Sequence, residues 1–205
     1  MRKPETLRST HALLLAMALA LAGLPDAYGQ TAPGGGGTGG TISGTLSSRT
    51  PTYTTTPTAY LTRSISRNIG AAAEECASYD PVYRIDCLRQ RLLDIAQRIP
   101  KGPAYDEARQ IVQQAASRLG RIQAANIDRS APRQRSRGNA RIKAARTYTA
   151  IHRRNLDKAM VQARQVIEEA QTQLLRASEN SEKRASHYRQ IATAVGSTKV
   201  LLRST

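Results

Sequence analysis

The clearest periodic signal in the chain lies between Asp80 and Ile99, where Ile85, Leu88, Leu92, Ile95 and Ile99 recur at spacings of three and four. That spacing places five large apolar side chains on one face of an α-helix. Asp80 followed by Pro81 marks its start, because aspartate caps a helix N-terminus and proline at the first helical position loses no hydrogen bond. Upstream, Ile65, Ile69, Ala72 and Cys76 predict a shorter helix from Ser64 to near Tyr79. Downstream, Pro100-Lys101-Gly102-Pro103 ends the second helix and leads into a third, from about Ala104 to Ile127, with a stripe of Ala108, Val112, Ala115, Leu119 and Ile122. A connection this short makes the second and third helices an antiparallel hairpin.

Asp128 to Asn139, with Pro132 and Gly138, reads as a connector. Beyond it Ile142, Ala145, Tyr148, His152, Leu156, Ala159, Ala163, Ile167, Ala170, Leu174 and Ala177 again fall three or four residues apart, and no proline follows Pro132. The pattern predicts a helix over 140–179, about 60 Å long at 1.5 Å per residue. Ser178-Glu179-Asn180-Ser181 is a polar interruption, but a stripe through Ala185, Tyr188, Ile191 and Val195 favours one continuous helix over a restart. The expected fold class is therefore all-α, an elongated helical hairpin or bundle of three to five helices with a long C-terminal helix, occupying 64–205. An arm of that length would overhang the hairpin, which raises self-association as a coiled coil.

The first 63 residues lack this periodicity. Arg2, Lys3 and Arg8, the 13-residue apolar run Ala12–Leu24 and the small residues Ala27 and Gly29 form a secretory signal over 1–29. The run is shorter than the roughly 20 residues that cross a hydrocarbon core, so no transmembrane span is expected in the mature chain. Residues 30–63 are rich in Gly, Thr, Ser and Pro, a composition that buries too little apolar surface to order itself, and are read as a disordered linker.

Charge changes the picture of partners. The chain carries 31 basic and 15 acidic residues, and removing 1–29 takes away three and two of these, leaving a net charge of +15. Such an excess favours anionic surfaces. The nine cations Arg129, Arg133, Arg135, Arg137, Arg141, Lys143, Arg146, Arg153 and Arg154 lie in a stretch without Asp or Glu and are the anion-contact candidates. Arginine forks match phosphate and carboxylate bidentately. A nucleic-acid partner is disfavoured, because the chain has no zinc-finger or RNP-like motif and its signal directs it out of the cytoplasm.

Candidate catalytic chemistry is sparse. Cys76 and Cys87 are too far apart for a C-x-x-C motif and, in an exported chain, predict one structural disulfide joining the first two helices. His152 and His187 are isolated, the first expected to pack on an apolar stripe and the second to be exposed; neither belongs to a nucleophile or zinc arrangement. Glu74-Glu75 and Glu168-Glu169 are adjacent pairs pointing about 100° apart on a helix, unsuited to acid–base work on a sugar. No metal or cofactor is implied. The sequence thus points to a non-enzymatic, periplasmic or secreted protein, bacterial by its composition, with a small enzyme or enzyme accessory as the lesser alternative, which a polar His152 beside carboxylates would favour. Its expected partners are a protein, a second copy bound through its helices, or an anionic envelope surface of lipid, lipopolysaccharide or acidic glycan.

Overall fold

The computed structural model describes residues 56–203. The expected export signal over 1–29 and residues 30–55 of the expected linker lie outside the described residues, whereas 59–63, expected to end that linker, are helical and bury Thr62. Five helices run in order: α1 Ala59–Ala77, α2 Pro81–Arg98, α3 Asp106–Asn126, α4 Leu156–Glu179 and α5 Glu182–Ser197. Each packs on the next, and α5 closes back on α1, so the apolar stripes meet in one all-α bundle. Ile69, Ile85, Leu88, Leu92, Leu119, Ile167, Leu174 and Ile191 are sealed at its centre. A closing 3-10 turn, Thr198–Leu202, touches α1, α2, α4 and α5, and buries Leu201 and Leu202.

Local chemistry explains the helix ends. Thr58 caps α1 by accepting a hydrogen bond from the Leu61 N–H at 3.3 Å, which starts the helix five residues ahead of Ser64, where the apolar pattern begins. Asp80 caps α2 through the Val82 N–H at 3.1 Å, with Pro81 in the first turn. Asp106 and Glu107 sit in the positive first turn of α3. Cys76 and Cys87 form the expected disulfide, both fully buried, with a Cα–Cα separation of 5.6 Å.

Two further expectations are corrected. The stretch 140–152 is not helical: it forms the returning arm of an irregular β-hairpin in which β1, Gln134–Arg135, pairs antiparallel with β2, Thr147–Tyr148, above an isolated bridge between Ile127 and Ile151. Gly138 turns the chain with φ of 64°, the Asn139 carboxamide oxygen takes the N–H groups of Arg141 and Ile142 at 3.0 and 2.8 Å, and the carbonyls of Ala144 and Thr147, which a helix would use in its own ladder, accept from Arg91 and Gln90 of α2 instead. Tyr148 and Ala150 are buried while Thr147 is exposed, the alternation of an extended arm.

The long C-terminal helix also breaks. α4 ends at Glu179 and α5 begins at Glu182, folding back on α4 instead of overhanging the bundle. The stripe that raised self-association, from Ala159 through Ala163, Ile167, Ala170, Leu174 and Ala177, is buried within the chain.

Candidate anion-contact surface

The hairpin is held to the bundle by a buried ionic network. Arg91 lies on α2 between Leu88 and Leu92, so its guanidinium is taken into the interior with the apolar stripe and is 1% exposed. Glu75, next to the disulfide on α1, meets it with two 2.7 Å hydrogen bonds, Nε to Oε2 and Nη2 to Oε1. The tyrosine hydroxyls of Tyr79 and Tyr148 donate to the same Oε1 at 3.2 and 3.0 Å, and the guanidinium stands 5.7 Å from the centroid of the Tyr148 ring. Burial raises the Tyr79 and Tyr148 phenols above the usual tyrosine range, and the Glu75 charge pushes the same way. Burial alone would lower the Arg91 pKa, but the Glu75 hydrogen bonds, together with the fields of Tyr148, Glu75 and Asp94, outweigh it and hold the guanidinium charged.

From this centre the contacts run into the hairpin backbone. Arg91 Nη1 donates to the Ala144 carbonyl at 2.9 Å, the Tyr79 hydroxyl accepts the Arg137 N–H at 2.7 Å, and Asn139 Nδ2 donates to the Ala71 carbonyl at 2.7 Å. A second carboxylate, Asp86 on α2, accepts both the backbone N–H and the hydroxyl of Thr149 at 2.8 and 2.9 Å while bonded to Arg89 at 2.8 Å. Gln90 Nε2 reaches the Thr147 carbonyl at 2.9 Å. With few regular β hydrogen bonds of its own, the hairpin is positioned by polar side chains of α1 and α2.

The nine candidate cations are carried on this hairpin and its approaches, but not all face solvent freely. Arg146 is bound to Asp94 of α2, Nη2 to Oδ1 at 2.5 Å, and this pairing raises its pKa. Arg153 pairs with Asp80 at 2.7 Å. Burial opposes ionisation of Asp80, but its bonds from the Val82 N–H and from Arg153 hold its carboxyl below the usual range. Arg141 reaches Asn68, not a carboxylate, at 3.4 Å. Arg129, Arg133, Arg135, Arg137, Arg141, Lys143 and Arg154 are exposed and, among the described residues, form no ion pair.

Both histidines differ from expectation. His152 is not packed on alkyl side chains: its Nδ1 stands 3.3 Å from Asp128 Oδ2 and its side chain is 37% exposed. The other Asp128 oxygen accepts the Ser130 hydroxyl and N–H at 2.6 and 3.0 Å, and that hydroxyl, ahead of His152, keeps the carboxyl below the usual range. The serine therefore bonds the carboxylate and not the imidazole, unlike a Ser-His-Asp relay. His187 is half-buried, its Nδ1 at 2.8 Å from the Thr62 hydroxyl, which also meets the Tyr105 hydroxyl at 2.9 Å. Among the described residues, no group of three His, Cys, Asp or Glu side chains is arranged to hold a metal ion, and no helix is long and apolar enough to cross a membrane.

Sequence reading missed the Glu75–Arg91 centre. In sequence Glu75 pairs only with its neighbour Glu74, yet Arg91 lies three residues after Leu88 and four before Ile95, inside the best apolar stripe of the chain. An arginine in that position needs a buried carboxylate, and the disulfide neighbour Glu75 supplies it.

No family model matches the chain, and neither the curated proteins nor the solved structures give a match.

Proposed function

We propose that this is an exported, non-enzymatic binding module whose basic hairpin contacts an anionic surface of the cell envelope, of lipid, lipopolysaccharide or acidic glycan, in the periplasm or outside the cell. One observation carries the reading: seven exposed cations, without carboxylate partners among the described residues, sit on the hairpin and its approaches, and the hairpin backbone is fastened to the bundle by Arg91, Asp86, Tyr79 and Asn139. A hairpin held this way presents its charges with little ordering left to lose on binding. The internal disulfide accords with an oxidising compartment. The helical stripes are occupied by one another, so the reading rests on the hairpin and not on helix pairing with a second copy.

The test is retention on vesicles of anionic lipid and on immobilised lipopolysaccharide or acidic glycan. Replacing Arg133, Arg135, Arg137 and Arg141 together by glutamine weakens retention and flattens its dependence on salt. Retention that is unchanged by the substitutions and independent of salt overturns the reading.

A further inference from the structure

Two adjoining recesses line the tip of the hairpin. One, of about 490 Å³, is walled by Arg135, Ser136, Ala145, Arg146 and Thr147, and the other, of about 320 Å³, by residues that include Arg137, Gly138, Asn139 and Lys143. They share Ser136 and Ala145, so they lie side by side as two parts of one basic trough, and neither is lined by Asp or Glu. We infer that this trough is a binding site for a phosphodiester-linked chain, gripped through successive phosphates; the inference rests on the anionic-surface reading above and names its ligand class.

Three features select that chemistry. The first is the comb of cations: Arg135 and Arg137, one on each recess, are exposed with Ser136 half-buried between them, and exposed Arg133 stands one such step before the recesses, so the extended arm presents its arginines on one side with a pitch of roughly 7 Å. That pitch suits ligands with anions repeated along a chain. The second is donor type. Planar guanidinium forks bind phosphate oxygens in pairs, and Arg135 and Arg137 supply such forks to the walls of the two recesses.

The third is the lack of apolar anchors. Among the described residues the exposed large apolar side chains Tyr60, Val161, Leu175 and Val200 belong to other elements, Ile142 on the recess wall is itself buried, and Tyr83, the tyrosine beside the hairpin, is half-buried with its hydroxyl donating to the Pro132 carbonyl at 2.8 Å. Bilayer-seated elements insert apolar residues beside their cations, and single-strand nucleic-acid binders stack bases on aromatic rings. The trough offers neither, which leaves recognition to the phosphate backbone of the polymer.

The experiment measures binding of the full chain to three probes: a fluorescent glycerol-phosphate oligomer, polygalacturonate of matched charge, and phosphatidylglycerol vesicles. Two charge-matched variants are compared, R135Q/R137Q in the trough and R176Q/R189Q on exposed positions outside it. The expected result is that the oligomer binds tighter than either other probe, and that R135Q/R137Q weakens it about tenfold, the loss expected for two phosphate contacts, while R176Q/R189Q changes it less than about twofold. Equal losses in the two variants overturn the trough as the site. Polygalacturonate or vesicles bound as tightly as the oligomer overturn the phosphodiester class while leaving the anionic-surface reading standing. Binding to none of the three overturns both.

Discussion

Arg91 and Glu75 form a bidentate pair 16 residues apart in sequence, with both side chains almost wholly excluded from solvent. Their pairing joins three parts of the molecule. It fastens α1 to α2 beside the Cys76–Cys87 bridge, and through Tyr148 and Ala144 it fastens the hairpin to both.

Removing one partner strands the other. Arg91→Met leaves the Glu75 carboxylate buried with only two tyrosine donors, and breaking a buried pair in this way costs about 3–5 kcal/mol. Urea unfolding should show this loss for Arg91→Met and for Glu75→Ala, with the double variant less destabilised than the two losses added together, because the partners are coupled. Losses below about 1 kcal/mol in both single variants would show that the pair does not hold the fold.

The disulfide acts on a different state. It closes a loop with a sequence separation of 11, and restricting the unfolded chain over such a loop is worth roughly 3 kcal/mol. The variant with Cys76→Ala and Cys87→Ala should therefore unfold at lower denaturant while its native far-UV spectrum is kept, since α1 and α2 are also joined by Glu75 and Arg91. A loss of helicity without denaturant would assign the bridge a larger role than loop closure.

Alkali should loosen the fold through its buried tyrosines. Tyr79, Tyr148 and Tyr188 all have pKa values raised, first by burial. In each the folded state keeps its proton after the unfolded chain has lost it, so their contribution is fully present below about pH 10, the ordinary tyrosine value, and is lost as pH rises beyond it. Phenolate absorbance should rise late for these groups and coincide with unfolding followed by circular dichroism. Phenolate formation by all tyrosines near pH 10 in a still-folded protein would contradict the buried network.

The first three helices and their disulfide were legible in the sequence because each signal is local: a stripe, a capping aspartate, a proline, a short connection. The hairpin was not, because Ile142, Ala145 and Tyr148 fall at helical spacing by coincidence, and Ala145 is exposed. What decides the region is tertiary: the carbonyls of Ala144 and Thr147 are claimed by Arg91 and Gln90, side chains of a helix about 50 residues away in sequence. The break after Glu179 has no proline or glycine to announce it, and the return of α5 onto α4 and α1 supplies the burial that a continuous helix would forgo. The basic run was legible as composition. Its division into paired Arg146 and Arg153 and seven cations unpaired among the described residues depends on where Asp94 and Asp80 lie in the fold.

Gly138 offers the sharpest separation of hairpin from bundle. Its φ of 64° is a left-handed conformation, and a Cβ there would stand 2.5 Å from the Ile142 carbonyl oxygen, a backbone atom with no room to move aside. Gly138→Ala must therefore open the tip turn, at about 1–2 kcal/mol for the backbone conformation alone. The five helices do not depend on that turn, so far-UV circular dichroism should stay native while limited trypsin digestion speeds up at Arg135, Arg137, Arg141 and Lys143. Retention on anionic vesicles or lipopolysaccharide should fall although no charge has been removed, because the comb of arginines is no longer held in one register. A variant that resists trypsin as the parent does, yet binds as tightly, would show that the turn geometry has no part in presenting the cations.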